Sequence, residues 1–381
     1  MKKLIAISVI FVLVTGAVFA EATIGGMWQV GTMLVAGEVG DGASDDVMMG
    51  HQKYSEGKLT FALGDSYMGG KIQVEIRGGD AGQGGVNDVW GFLYWKPNSL
   101  FRMQVGKDKD GHWGSAQITM WGFTGEQKNY VAAASDYDGE LNLMGYGKRK
   151  GFYDGVNFNS IDLSFFPVDD VNINLVLPMG VDLGEASAVL SKFHINSIIN
   201  IPDTGVLRLA FVGDGGLAKD MSDKTNPGTV FASFYVNAIE NLFIDFGVNY
   251  QIPFTSSANK MSTRGLELGL GLRLLSGPLT LKVRTGTKGL MGLSNDKSSD
   301  DLAWSIGILP SYKFDKFTLF FHAGFGLTLP EKGESETSWF INPYIFVPTG
   351  EGRFLAGIIL EDGNGDGLIK WKVPFGFYLY F

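Results

Sequence analysis

Leu368-Ile369-Lys370-Trp371-Lys372-Val373-Pro374-Phe375-Gly376-Phe377-Tyr378-Leu379-Tyr380-Phe381 is the stretch that decides how the chain is read. Ile369, Trp371, Val373, Phe375, Phe377, Leu379 and Phe381 fall on one face of an extended strand. Lys370, Lys372, Pro374, Gly376, Tyr378 and Tyr380 fall on the other. An alternation this strict marks a strand with one face in an apolar medium. A face of aromatic and aliphatic side chains needs a second sheet or lipid to cover it. The chain offers no core-forming helix, so lipid is the expected medium.

The same pattern recurs upstream. Ile72, Val74 and Ile76 alternate with Gln73, Glu75 and Arg77; Phe101, Met103 and Val105 alternate with Arg102 and Gln104. Short connections such as Lys96-Pro97-Asn98-Ser99, Pro202-Asp203-Thr204-Gly205, Ile239-Glu240-Asn241 and Ser276-Gly277-Pro278 carry turn residues. They take turns with longer polar or Gly-rich stretches, among them 213–228, 251–262, 288–301 and 330–337. Short turns on one side and long loops on the other are how a membrane barrel is built. The expected fold is all-β: a transmembrane antiparallel β-barrel of about 18 strands, within a range of 16 to 20. The short turns are expected on the periplasmic side and the long loops outside. Residues 107–156 form an unusually long third loop, within which 117–123 and 141–145 could add a strand pair.

Composition narrows the class. Lys2 and Lys3, the apolar run Leu4–Val14 and Val18-Phe19-Ala20 before Glu21 read as a secretory signal peptide over residues 1–20. Residues 21–381 are then the barrel. Cysteine is absent, so an exported chain of this kind must be held by something other than disulfides, and a closed sheet does that. Gly stands at 54 residues and aromatics at 13%, which fits membrane strands better than membrane helices. The net charge is −9, and losing Lys2 and Lys3 makes it −11, which argues against nucleic acid as a partner.

The chain resembles a bacterial outer-membrane porin-type β-barrel, with no particular subfamily matched. The resemblance spans residues 21–381 in architecture, and its most specific motif is the C-terminal strand. It implies that Phe377, Leu379 and Phe381 form a signal for the β-barrel assembly machinery. It also implies an outer-membrane location among lipid, and that 107–156 folds into the lumen as a constriction loop. Lys148, Arg149 and Lys150 opposed by Asp136, Asp138 and Glu140 would then shape the narrowing. A solvated surface loop is the plainer reading of those residues. A homo-oligomer is left open.

Alternation itself assigns inward positions. It places about eleven basic residues in the lumen, with Arg77, Arg102, Arg208, Arg273, Lys282, Arg284 and Arg353 as the principal pore-lining candidates beside Lys71, Lys192, Lys370 and Lys372. It places about four acids there: Glu75, Asp162, Asp245 and Glu267. Basic rings favour anions in a pore. The tryptophans at 28, 90, 95, 304, 339 and 371 read as interfacial girdle residues.

Other chemistry is thin. Asp362-Gly363-Asn364-Gly365-Asp366-Gly367 matches the start of a calcium loop, which makes Asp362, Asn364 and Asp366 weak metal candidates. Val373 stands where the bidentate Glu is needed, and Asn-Gly and Asp-Gly are ordinary hairpin residues. His51, His112, His194 and His322 are scattered, and no hydrolase or phosphate-loop motif appears, so neither an enzyme nor a cofactor is expected. The expected function is a porin: passive diffusion of small hydrophilic solutes with mild anion preference. The alternatives are a hydrophobic-compound (fatty-acid-type) transporter, and a surface adhesin or structural barrel without an open pore. The transporter would need an N-terminal plug, and only a few residues separate the signal peptide from the first strand.

Overall fold

A computed structural model describes residues 21–40, 42–43, 48–78, 85–107, 160–179, 193–213, 229–251, 254–255, 261–262, 266–288, 302–329, 334–362 and 367–381. Its strands in chain order are β1 (Glu21–Val39), β2 (Met48–Gly64), β3 (Met68–Gly78), β4 (Gly85–Asn98), β5 (Phe101–Gly106), β6 (Ser160–Val168) and β7 (Val171–Pro178). Next come β8 (His194–Ile201), β9 (Gly205–Val212), β10 (Thr229–Ile239), β11 (Leu242–Gln251), β12 (Phe254–Thr255), β13 (Met261–Ser262) and β14 (Leu266–Ser276). The last are β15 (Leu279–Lys288), β16 (Leu302–Lys313), β17 (Thr318–Leu329), β18 (Glu336–Thr349), β19 (Gly352–Gly357), β20 (Ile359–Asp362) and β21 (Ile369–Tyr380).

Successive strands of the main sheet pair antiparallel, except that β19 and β20 each pair with β18 and β21, and β21 returns to pair with β1. The sheet is therefore closed. Closure removes the two edges that would otherwise expose unpaired backbone groups. Nineteen segments belong to this sheet, against the expected eighteen or so, and β12 and β13 pair apart from it. The arithmetic turns on β19 and β20. Both lie between β18 and β21, and one register runs through them, from Ala356↔Phe375 to Ile359↔Lys372. The two segments occupy one position in the ring, interrupted at Ile358.

Closure is tied at the short-turn end of β21. Phe381 accepts a hydrogen bond from the Gly26 amide at 2.7 Å and donates its own amide to the Gly26 carbonyl at 3.2 Å. Gly26 suits this spot because a Cβ there would run into the Phe381 ring. Gly57 sits likewise beneath the Trp28 ring, 2.5 Å from where its own Cβ would stand. A bare glycine covered by a cross-strand aromatic lets two strands meet closely without leaving the backbone uncovered.

The outward face is apolar and exposed. On β17 it shows Leu319, Phe321, Phe325 and Leu329. From Leu319 to Leu329 the strand runs about 34 Å, and tilted by about 40° it spans about 26 Å, the height of a hydrocarbon band. Aromatic side chains gather by the short turns: Trp95 with Phe101 (6.4 Å), Phe101 with Phe165 (5.4 Å), and Tyr312 with Phe314 (4.7 Å). An exposed apolar surface of this extent calls for an apolar medium.

The short turns have local causes. Asp203 (φ 56°) and Asn241 (φ 62°) take the left-handed conformation that tight turns need and that Asp and Asn tolerate. In the β2–β3 turn the Asp65 carboxylate accepts the amides of Met68 (2.8 Å) and Tyr67 (2.7 Å). These bonds hold the Asp65 carboxyl below its ordinary value of 3.8, Met68 contributing most and Tyr67 next. A depressed carboxyl stabilises the fold above its unfolded pKa, and that contribution fades as pH falls through the depressed value. The amides of Tyr67 and Met68 should therefore exchange faster as the pH drops below 3.8. Asp65→Asn should flatten that acid-side change in a hydrogen-exchange series, and an unchanged profile would remove Asp65 as the cause.

Candidate functional site on the inner face

The inward face holds two sectors of different chemistry. The first runs from β2 to β15 and carries most of the buried polar and charged side chains, with Trp90, Val176, Val206, Ala210, Phe231 and Tyr235 buried among them. On β2 and β3, Thr60 donates to Gln73 (3.1 Å), Gln73 reaches Glu75 (3.5 Å), and the Lys58 ammonium lies 3.5 Å from the Glu75 carboxylate. Lys71 stands 4.8 Å above the ring of Trp90 on β4. On β5 the Arg102 guanidinium lies 4.6 Å from the Tyr94 ring and donates to Gln104 (3.3 Å). Asn174 on β7 donates its amide to Asn196 on β8 at 2.8 Å. Further round, Arg208, Ser233 and Asp245 are buried on β9, β10 and β11. Arg273 on β14 lies 4.7 Å over Phe243, whose other neighbour is the near-parallel ring of Tyr235. Lys282 sits beside Arg273 in the β14–β15 register.

Alternation explains this placement. Strands with strictly alternating sequence can turn only one face outward, so every polar partner is delivered to the other side. The side chains are closely covered: Arg102 and Glu75 are 2% exposed, Arg208 1% and Lys282 5%. Covered charges persist only where each has hydrogen-bonding or charged company, and the mixture of Arg, Lys, Asp, Glu, Asn and Gln supplies it.

The second sector runs from β16 to β21 and is largely apolar. Leu309, Phe320, Phe340, Tyr344, Leu355 and Ile359 form one buried cluster, with Met27, Ala36 and Phe346 against it. Phe320 and Tyr344 stack at 4.7 Å, and His322 meets the Phe340 ring edge-on at 4.7 Å. Lys372 pairs with Glu361 at its rim. At the short-turn side, Arg353 donates to the Tyr380 hydroxyl and lies 6.0 Å from the Phe346 ring.

Of the expected inward residues, Glu75, Arg102, Asp162, Arg208, Asp245 and Lys282 are buried on the inward side, with Lys71, Arg273, Arg353, Lys370 and Lys372 on the same face. Arg77 and Arg284 occupy positions in β3 and β15, but their side chains lie outside the description, as does that of Glu267. Lys192 lies outside the described residues. So do 1–20, 108–159 with Lys148, Arg149, Lys150, Asp136 and Asp138, and also Asn364 and Asp366. Asp362 lies at the end of β20, opposite Trp339. Phe377, Leu379 and Phe381 are exposed on the outward face.

Several inward charges escape the sequence reading, among them Glu38, which stands opposite Lys370 two residues beyond the expected end of the first strand. Lys58 immediately precedes the alternating Leu59, Phe61 and Leu63, and counting one step back along that strand would have found it. Glu361 lies one residue beyond Leu360, where the strand was expected to stop. Trp90 is corrected: it is 3% exposed on the inward side and meets Lys71, whereas Trp28, Trp95 and Trp304 are exposed outward. Counting described side chains, Lys58, Lys71, Arg102, Arg208, Arg273, Lys282, Arg353, Lys370 and Lys372 stand inward as cations, against Glu38, Glu75, Asp162, Asp245 and Glu361, with Lys313 and Glu336 on the same face at strand ends.

The class of fold is a closed antiparallel β-barrel, apolar outside and charged within. Solved structures share it. OpdQ of Pseudomonas aeruginosa superposes with a TM-score of 0.58 at 7% identity, covering 95% of this chain and 97% of that one. OpdL of Pseudomonas aeruginosa gives 0.56 at 8% identity, over 96% and 99%. The outer membrane protein OpdK of the same organism gives 0.54 at 8%, over 95% and 99%. At such identities the likeness is one of fold. No protein-family model matches the sequence, and no curated protein does either.

Proposed function

We propose that the chain is an outer-membrane porin: a passive channel for small hydrophilic solutes with a mild preference for anions. The observation that carries this reading is the inward excess of cations over acids in a chain whose total charge is −9. An electropositive path through a low-dielectric wall lowers the barrier for anions and raises it for cations. In the same reading residues 1–20 are a signal peptide, and 107–156 folds inward to narrow the path. The close cover over Arg102, Arg208 and Lys282 favours a narrow passage over a wide bore.

Planar-bilayer recording on the refolded protein tests this directly. Discrete steps with a reversal potential displaced toward the anion in a salt gradient are the expected result. A cation-displaced potential would overturn the anion preference. A bilayer that stays silent over many insertions would favour a structural or adhesive barrel instead.

A further inference from the structure

Three prolines sit inside alternate strands of one part of the ring instead of at their ends: Pro310 in β16, Pro343 in β18 and Pro374 in β21. A proline has no N–H to give to a ladder. The resulting gaps line up. Between β16 and β17 pairing lapses from Ile308↔Ala323 to Ser311↔Phe320. Between β18 and the β19–β20 position it lapses from Tyr344↔Gly357 to Ile341↔Leu360. Ile358 lies in that gap, keeping one bond from its amide to the Pro343 carbonyl at 3.0 Å. Between β19–β20 and β21 it lapses again, from Ala356↔Phe375 to Ile359↔Lys372, where Pro374 falls. Between β21 and β1 the register slips between Met33 and Val35, next to Pro374, and Leu34 bulges out. The β17–β18 ladder stays whole, through Phe321↔Pro343. The gaps fall on one oblique line across the sheet from Pro310 to Leu34, crossed by the intact β17–β18 ladder, and this line is the seam.

The seam coincides with the apolar sector. Behind it lie Leu309, Phe320, Tyr344 and Ile359, with Asn342 and His322 interleaved and the Lys372–Glu361 ion pair at its β20–β21 edge, where the two charges compensate each other. In front of it Ile358, Phe321 and Leu34 are exposed on the outward face. Along β2 to β15 a solute crossing the wall would meet buried charges on the inner side. Across the seam it meets mostly apolar side chains on both sides and fewer hydrogen bonds to part. Because both conditions fall on the same strands, we propose that this seam opens as a lateral passage by which small apolar solutes move between the lumen and the surrounding lipid. The proposal rests on the membrane-barrel reading above, and it adds a route and a solute class to it.

The chain has no cysteine, so single thiols report cleanly. Leu309→Cys places a thiol behind the seam. Ser233→Cys places one on the inner face of β10, where the ladders to β9 and β11 run unbroken beside it. In phospholipid vesicles, N-(1-pyrenyl)maleimide dissolved in the lipid should label Leu309→Cys severalfold faster than Ser233→Cys, after each rate is normalised to labelling by a charged, water-soluble maleimide. Restoring ladder donors with Pro343→Val and Pro374→Val should remove the difference. Equal normalised rates at the two thiols, or rates indifferent to the proline changes, would overturn the passage. Should the proline variant fail to assemble, hydrogen exchange on the unaltered protein decides. The Ile358 and Ile359 amides should exchange severalfold faster than those of Ser233 and Phe234, and equal protection would overturn the seam. Loss of salt conductance in the unaltered protein would count against the hydrophilic channel alone, so the two failures are separable.

Discussion

Deleting Phe381 should lower the amount of folded barrel in the outer membrane by more than tenfold while leaving export intact. The two backbone bonds between Phe381 and Gly26 go with the residue. At roughly 1 kcal/mol each they are worth about 2 kcal/mol, which is more than a factor of ten in the closure equilibrium. The ring that covers Gly26 is lost as well. By the porin resemblance the same residue belongs to the assembly signal with Phe377 and Leu379, so recognition and closure fail together. Phe381→Ala divides the two contributions, because it keeps the backbone bonds and removes the ring. Heat-modifiability of the outer-membrane fraction measures the folded form, and the periplasmic pool measures export. Wild-type levels of the deletion in the outer membrane would overturn the role given to this residue.

Arg273→Glu should reverse or nearly abolish the proposed anion preference. Arg273 is only partly covered, and its guanidinium lies 4.7 Å over the Phe243 ring, opposite Lys282 in the register. That contact fixes the charge in place on the inner wall. A unit charge acts on an ion 4 Å away with about 1 kcal/mol in water, so inverting it changes the balance by about 2 kcal/mol at closest approach. The permeability ratio should then move by more than about tenfold in dilute salt and much less in 1 M salt, where the screening length is about 3 Å. Arg273→Gln should give about half the free-energy shift, because it removes one charge where the Glu variant changes two. The reversal potential is the right readout. A variant that merely folds less well yields fewer channels without moving that potential. An unchanged potential in both variants would take Arg273 off the ion path.

Much of this was legible before any coordinates. Alternation in Ile72–Arg77, Phe101–Gln104 and the C-terminal strand identified both faces, because a strand delivers successive side chains to opposite sides by covalent geometry alone. The same rule put Glu75, Arg102, Arg208, Asp245 and Lys282 on the inner face. It failed where both faces are apolar. In Ser305–Tyr312 and Trp339–Phe346 the pattern blurs, so the inward cluster of Leu309, Phe340 and Tyr344 went unread. Trp90 was misplaced for a related reason: an aromatic is at home in an outer girdle and equally in a cation–π contact such as the one with Lys71.

The sequence by itself determined the strand faces and the turn positions, since each follows from local spacing. Only the tertiary structure decided that β21 closes on β1 through Phe381 and Gly26. It also decided that Lys58 meets Glu75 and Arg273 stands beside Lys282, and that three prolines far apart in the chain fall along one seam. Those relations depend on register between strands, which is set by the pairing of the whole ring and is invisible along any one strand.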